Sequence, residues 1–180
     1  EGLKLRFNKK VDGIPYDGKY IFSELGYNFL PSEISAAFAL EQLKKLKKNI
    51  NTRIKNFEKL FNFFKNYPEL FDLPTQVKGI KTGWLAYPII IKNNSKIKRQ
   101  KMQIYLEKKG IQTRTIFTGN IIRQPIMKNK KYKKVSLCAV NSDNIMKNGI
   151  LIGCHQGLKN KEINYVFKCL KSFLKSANLN

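Results

Sequence analysis

The chain has 180 residues, 42% of them hydrophobic and 12% aromatic, which places it among globular proteins that bury a core and excludes a disordered chain. Its formal charge of +23 would attract phosphates, but the lysines are spread over nearly every polar segment, so we interpret them as composition bias. The three cysteines are far apart and lack C-x-x-C spacing, which argues against a disulfide framework and a zinc site. No apolar run approaches the ~20 residues of a membrane span, and the first residues do not resemble a signal peptide. We therefore predict a cytoplasmic location.

The first 30 residues carry turn signals but no sustained hydrophobic period. The stretch GIPYDGKYIFSELGYNFLP combines glycine, proline and aspartate with aromatic residues. We predict an extended segment that docks on another surface.

One long helix is predicted next, starting near Ser32 and ending before Pro68. Within it, apolar residues recur at intervals of three and four, the period of an amphipathic helix. The stretch DLPTQVKGIKTG indicates a loop, and WLAYPIII indicates a buried strand because it is short and rich in β-branched and aromatic residues. A helix over about 97–109 follows and is stopped by Gly110, in the C′ position where helices favour glycine.

The remaining elements complete an α/β layer. IQTRTIF is a predicted strand that ends in a turn, and a basic loop and a short helix near 141–148 come after it. Trp84, Tyr87 and Phe117 lie inside strand patterns, so we predict core aromatics rather than stacking platforms. A strand, ILIG, precedes a last helix whose apolar face is formed by Ile163, Val166, Phe167, Leu170, Phe173 and Leu174. The order helix, strand, helix, strand, helix, strand, helix predicts the α/β class.

Several motifs in a fixed order resemble one enzyme family. GYNFLPSEISAAFALEQLKKL is similar to the segment beginning G-Y-N in the DegT/DnrJ/StrS family of vitamin B6-dependent sugar aminotransferases and dehydratases. The similarity continues through WLAYPIII, GIQTRTIFTGN and GLKNKEINYVFKCL, and so covers nearly the whole chain. Within the family, DGKYIFSELGYN, TRTIFTGNIIRQP and NSDNIM most resemble the branch that removes the C3 hydroxyl of nucleotide-linked 4-keto-6-deoxyhexoses.

The resemblance implies the C-terminal, small-domain part of a fold-type I enzyme that uses pyridoxal 5′-phosphate or pyridoxamine 5′-phosphate. Residues 1–30 would dock on an absent large domain or on a dimer partner, and residues 31–180 would form the small α/β domain. In the family the large domain carries the Schiff-base lysine, which is a histidine in the dehydratases. We therefore expect no catalytic residue in this chain and no activity from the chain alone.

The resemblance also implies partners. It implies a homodimer and, for a dehydratase, a reductase. Family dehydratases can carry an iron–sulfur cluster on cysteines upstream of this start, and because no cysteine precedes Cys138 the cluster cannot be read from this chain.

The turn TIFTGNIIRQP is the predicted substrate site. Strand alternation puts Arg114 on the face opposite Phe117, and the following glycine permits a tight bend. Asn120 can donate and accept at the tip, and Arg123 and Gln124 follow within reach of the same point. The planar fork of arginine suits a diphosphate or a pair of sugar hydroxyls, so the turn is predicted to hold a nucleotide-sugar. The alternative is an ordinary strand-to-loop connection with surface arginines.

Asn28 is the predicted cofactor contact. In the family, the asparagine of G-Y-N reaches across the dimer to the cofactor phosphate of the neighbouring subunit, and an amide ahead of a helix N-terminus suits a phosphate. The alternative is a turn asparagine that bonds to its own backbone. Leu30 stands where the family often has a basic residue.

His155, the only histidine, lies in GCHQGL directly after a predicted strand. It is either a proton-transfer group or a turn residue, and we favour the turn residue.

Three function classes remain open. The first is part of an enzyme acting on a nucleotide-diphosphate sugar in deoxysugar and lipopolysaccharide O-antigen biosynthesis, with C3 dehydration ahead of transamination. The second is a basic nucleic-acid-binding domain, which the missing aromatic-plus-basic signatures of RNA modules disfavour. The third is a catalytically empty interaction module. No metal site and no membrane association are predicted.

Overall fold

The computed structural model describes residues 6–27, 29–132 and 138–177, so the predicted cofactor contact Asn28 lies outside the described residues. The chain forms two compact units, Glu1–Leu43 and Lys44–Asn180, and the division falls within the first long helix. From the sequence we predicted a different boundary, between residues 1–30, which would dock on a larger assembly, and residues 31–180. That boundary stays a prediction.

The first unit contains a β-hairpin that was not predicted from the sequence. Strands β1 (Lys9–Val11) and β2 (Ile14–Tyr16) pair antiparallel. Asp12 and Gly13 connect them with φ values of 49° and 82°, the left-handed conformation that Asp-Gly hairpin turns require. A 3₁₀ turn follows at Gly18–Tyr20 and is capped by Asp17. Each strand has only three residues, too short to show a period in the sequence.

The long helix is confirmed. Helix α1 spans Glu33–Phe64, and the Ala36 amide donates to the Ser32 carbonyl at 3.0 Å, which begins the helix at the predicted place. Pro68 follows the last turn because proline cannot continue a helix. The side chains of residues 33–48 are exposed, whereas the buried face of α1 comes from Asn56, Phe57, Leu60, Phe63 and Phe64.

The second unit is built on a four-stranded antiparallel sheet in the order β3-β4-β6-β5. Its strands are β3 (Phe71–Asp72), β4 (Ala86–Ile91), β5 (Thr113–Arg114) and β6 (Gly149–Gly153). Strands β4 and β6 were predicted. Strand β3 was not, because two residues carry no alternation that a sequence pattern could show.

Helices α2 (Arg99–Lys108) and α3 (Cys138–Asn148) connect successive strands, and α4 (Asn160–Ser176) follows the last strand. Helix α2 ends as predicted, with Gly110 at a φ of 74°. Helix α3 begins three residues earlier than the predicted start near residue 141. None of the helices in the described ranges combines the length and the apolar character needed to cross a bilayer.

Aromatic side chains fill much of the core of the second unit. Tyr87 on β4 is fully buried, and its ring stacks on that of Phe64 with the ring centroids 5.3 Å apart. Trp84 stacks on Phe57 at 4.1 Å between centroids. The prediction for Tyr87 is confirmed, and Trp84 is partly buried and packs against the core. The prediction for Phe117 is wrong, because its side chain is 91% exposed and does not join the core.

Candidate functional site

The turn after β5 leaves the extended conformation earlier than the sequence predicts. Strand β5 ends at Arg114, whereas the prediction continued it through Phe117. Phe117 adopts a φ of 46°, so it no longer alternates with Arg114 across a sheet. The Gly119 amide donates to the Ile116 carbonyl at 3.0 Å and closes the turn. The chain therefore reverses directly at the end of a two-residue strand.

Gly119 allows this turn to lie against helix α3. Its φ of 66° lies in the left-handed region that favours glycine. A Cβ atom at this position would lie 2.4 Å from Met146 Cβ and 2.7 Å from Met146 Cα, closer than real contacts allow. A side chain here would therefore force the turn away from α3.

Asn120 is occupied at both ends of its amide. Its Oδ1 accepts from the Ile122 amide at 3.1 Å and caps the 3₁₀ turn Ile121–Arg123. Its Nδ2 donates to Asp143 Oδ1 at 2.7 Å. The residue is 4% exposed, so most of its surface lies inside the protein.

Arg123 pairs with the same carboxylate. Its Nε donates to Asp143 Oδ1 and its Nη2 donates to Oδ2, a fork-to-fork arrangement. The Arg123 guanidinium, together with the Asn120 amide, lowers the pKa of Asp143 to about 2. The carboxylate is therefore ionised at neutral pH. Asn120 and Arg123 were predicted from the sequence, but Asp143 was not, because nothing in the pattern of NSDNIM shows that α3 faces the turn.

Gln124 and Arg114 hold different positions around the turn. Gln124 Nε2 donates to the Thr118 carbonyl at 2.9 Å and so ties the end of the turn to its beginning. Arg114 is exposed at the end of β5, near Glu107. Hydrogen bonds from the backbone and side chain of Thr113 lower the pKa of Glu107, and the charge of Arg114 contributes less. The structure therefore links Asn120 and Arg123 through one acid, whereas Gln124 is bonded to Thr118 and the Arg114 side chain is exposed.

His155 belongs to a tight turn after β6. Its Nδ1 accepts from the Gly157 amide at 3.2 Å, and its carbonyl accepts from Asn56 Nδ2 at 3.1 Å. The same Asn56 amide reaches the Leu158 carbonyl at 3.1 Å. These contacts support the interpretation of His155 as a turn residue. It lines a cavity of about 450 Å³ beside β6 and α4 to which no residue of 114–124 contributes.

The chemistry of the turn favours binding over proton transfer. Residues 113–127 contain two arginines and no acid, histidine, cysteine or lysine. Of the acids that contact this stretch, Glu107 accepts hydrogen bonds from Thr113, and Asp143 is ionised and paired with Arg123. Guanidinium donors beside a backbone turn suit an anionic or hydroxyl-rich ligand. Among the described residues, no three His, Cys, Asp or Glu side chains group as metal ligands.

The sequence matches one protein family over most of its length. The profile of the DegT/DnrJ/EryC1/StrS aminotransferase family matches residues 6–171. The lipopolysaccharide biosynthesis protein RfbH of Salmonella typhimurium is 33% identical over 170 residues, which cover 93% of this chain and 39% of that protein. The GDP-4-keto-6-deoxy-D-mannose 3-dehydratase of Escherichia coli O55:H7 is 34% identical over 167 residues, covering 90% of this chain and 42% of that protein.

The fold gives the same relationship. The crystal structure of a GDP-4-keto-6-deoxymannose-3-dehydratase with a trapped PLP–glutamate geminal diamine superposes with a TM-score of 0.72 at 32% identity. The superposition covers 85% of this chain and 39% of that one. The chain thus spans about two fifths of the length of these relatives.

Proposed function

Because the chain belongs to the DegT/DnrJ/EryC1/StrS aminotransferase family, we propose that it forms the C-terminal part of an enzyme that removes the C3 hydroxyl of a nucleotide-linked 4-keto-6-deoxyhexose. The observation that carries the proposal is the 34% identity to a 3-dehydratase over 90% of this chain. The name of the Salmonella relative supports a place in lipopolysaccharide biosynthesis. We propose a cytoplasmic location for the enzyme. The alternative within the family is transamination of a similar sugar.

The turn at residues 114–124 is the proposed contact with the nucleotide-sugar. Arg123 has five N–H groups, and the two hydrogen bonds to Asp143 leave three of them for a ligand. Arg114 adds a second exposed positive charge nearby in the chain. Donors of this kind match the oxygens of a diphosphate or of sugar hydroxyls. Of the predicted set Arg114, Asn120, Arg123 and Gln124, we propose the two arginines and Gln124 as direct contacts of the substrate. Asn120 belongs to the same site but shapes the turn, because both ends of its buried amide are hydrogen-bonded within the protein.

The cofactor is proposed to be pyridoxal 5′-phosphate or pyridoxamine 5′-phosphate, held mainly by the part of the protein outside this chain. When bound, it supplies the electron sink for bond cleavage beside the sugar carbonyl. Within this chain, we propose only Asn28 as a contact to the cofactor phosphate, made across a homodimer. The described residues hold and orient the sugar nucleotide.

The apolar surface of the first unit supports the proposed docking of residues 1–30. Phe22, Leu25, Phe29 and Leu30 are each more than four fifths exposed, as is Ile34 at the start of α1. Large exposed apolar patches commonly mark surfaces that another protein surface covers. We propose that this series packs against the large domain or the dimer partner of the complete enzyme.

The reaction type is tested by identifying the product. The complete enzyme, with pyridoxal 5′-phosphate and glutamate, is incubated with GDP-4-keto-6-deoxymannose, and the sugar product is analysed by mass spectrometry. Loss of the C3 oxygen supports the proposal. A product that retains this oxygen and gains an amino group at C4 would establish the transaminase alternative.

A further inference from the structure

One carboxylate organises the candidate substrate turn. Asp143 accepts from Arg123 through both oxygens, and its Oδ1 also accepts from the Asn120 amide. Asp143 lies on α3, whereas its two partners lie on the turn. The acid therefore joins the helix to the turn, through partners that lie 20 and 23 residues before it in the sequence.

The pairing fixes the direction of the guanidinium. With Nε and one Nη2 hydrogen engaged, the free N–H groups of Arg123 are the two on Nη1 and one on Nη2. They lie on the edge of the planar group that faces away from Asp143, and the Arg123 side chain is 62% exposed. An unpaired arginine side chain would sample many rotamers, and this edge of the guanidinium would point in many directions. The pairing with Asp143 restricts this edge to orientations that keep both hydrogen bonds.

Helix α3 holds the turn at a second point. Met146 lies three residues after Asp143 and so on the same face of the helix. Gly119 of the turn lies directly against Met146, with no space for a Cβ atom. The turn is therefore held on α3 by three hydrogen bonds to one carboxylate and by one steric contact.

We propose that Asp143 is a positioning residue for the nucleotide-sugar: it holds Arg123 so that the free edge of the guanidinium meets the substrate, and Asn120 supports Asp143 rather than the ligand. This inference rests on the proposed function and adds to it. Pairing with Asp143 offsets the positive charge of Arg123. The guanidinium is therefore better oriented toward the substrate, but it attracts an anionic substrate less strongly over a distance. The Arg114 side chain is also exposed, and it makes no side-chain hydrogen bond within the described ranges.

The experiment is a double-mutant cycle in the complete, cofactor-loaded enzyme. The variants are Asp143→Ala, Arg123→Ala and their combination, and the readouts are KM and kcat for the nucleotide-sugar together with calorimetric titration of GDP, dTDP and UDP. Asp143→Ala is expected to raise KM about tenfold and to leave kcat within about twofold, because an orienting contact for binding is lost. The combined variant should be no worse than Arg123→Ala alone, since Asp143 acts through Arg123.

A matched control is Asp72→Ala. Asp72 also pairs with a cation, Lys92, at 3.9 Å, but it lies on strand β3 at the opposite edge of the sheet from β5. This variant should keep the wild-type KM. Asp143→Asn provides a variant of nearly unchanged volume in case Asp143→Ala fails to fold, and it should raise KM severalfold because one acceptor and the charge are lost.

The outcomes separate this inference from the function on which it rests. Additive effects of Asp143→Ala and Arg123→Ala, or a wild-type KM in Asp143→Asn, would overturn the positioning role while leaving Arg123 as a substrate contact. If Arg123→Ala also keeps wild-type kinetics and wild-type nucleotide affinity, the proposed substrate site itself is wrong.

Discussion

Replacing Gly119 by alanine tests whether the turn is seated on helix α3. The substitution has two costs. A non-glycine residue in the left-handed conformation costs about 1–2 kcal/mol, and overpacking a filled space costs typically about 1–3 kcal/mol more. The added Cβ would lie 2.4 Å from Met146 Cβ, so both costs apply at Gly119. We expect Gly119→Ala to lower the free energy of unfolding of the second unit by about 2–5 kcal/mol.

Gly110→Ala is the matched control. Gly110 also has a positive φ, 74°, but a Cβ atom there would meet nothing within 4 Å. Its substitution should therefore cost only the backbone term, about 1–2 kcal/mol. Hydrogen exchange of peptides from residues 44–180, measured over a urea series, reports the unfolding of this unit in the complete protein. Equal destabilisation by the two substitutions would refute the close approach of the turn to Met146.

Three further predictions concern the arginines, the acid and the overall charge. We expect each of Arg114→Ala and Arg123→Ala to lower kcat/KM for the nucleotide-sugar by roughly one to two powers of ten, with cofactor affinity, measured by absorbance titration, unchanged. Asn28→Ala should instead weaken cofactor binding. In mixed dimers, this defect should be found in the active site of the partner subunit. The folded-state pKa of Asp143, about 2, lies below its ordinary value of 3.8, so the stability from its pairing is present above pH 4 and is lost as the pH falls toward 2. The free energies of unfolding of wild type and Asp143→Asn, measured in urea, should therefore converge in that range. Filter binding to duplex DNA or RNA should be weak, insensitive to sequence and lost steeply as salt rises, and tight sequence-selective binding at physiological salt would favour a nucleic-acid-binding protein instead.

The elements that could be predicted are those with long hydrophobic periods. Helix α1 was predicted to begin near Ser32 and it begins at Glu33, because apolar residues repeat through more than eight turns of helix. Strands β4 and β6 were predicted because β-branched residues crowd into short runs. The hairpin at Lys9–Tyr16 and strand β3 were missed, since elements of two or three residues are specified by their pairing partners and not by a local period.

The candidate site was predictable only in part. The residue types of the turn predicted donors for an anion, and the structure places Asn120 and Arg123 together. The contact that joins them was not predictable, because Asp143 approaches from a helix that follows later in the chain. Phe117 was assigned to the core from alternation alone, but the turn begins before it and exposes the ring. Tertiary contacts determine both the partner of Asp143 and the exposure of Phe117, and such contacts cannot be predicted from the local pattern of one sequence.

The most direct test of the substrate site is a crystal structure of the complete enzyme, loaded with pyridoxal 5′-phosphate and soaked with GDP-mannose as a stable nucleotide-sugar. We predict ordered density for the diphosphate or the sugar within hydrogen-bond distance of Arg123 Nη1, with the Arg123–Asp143 pair intact and Asn120 still buried. A fully ordered nucleotide-sugar that makes no contact with residues 114–124 would contradict the assignment of this turn as the substrate site.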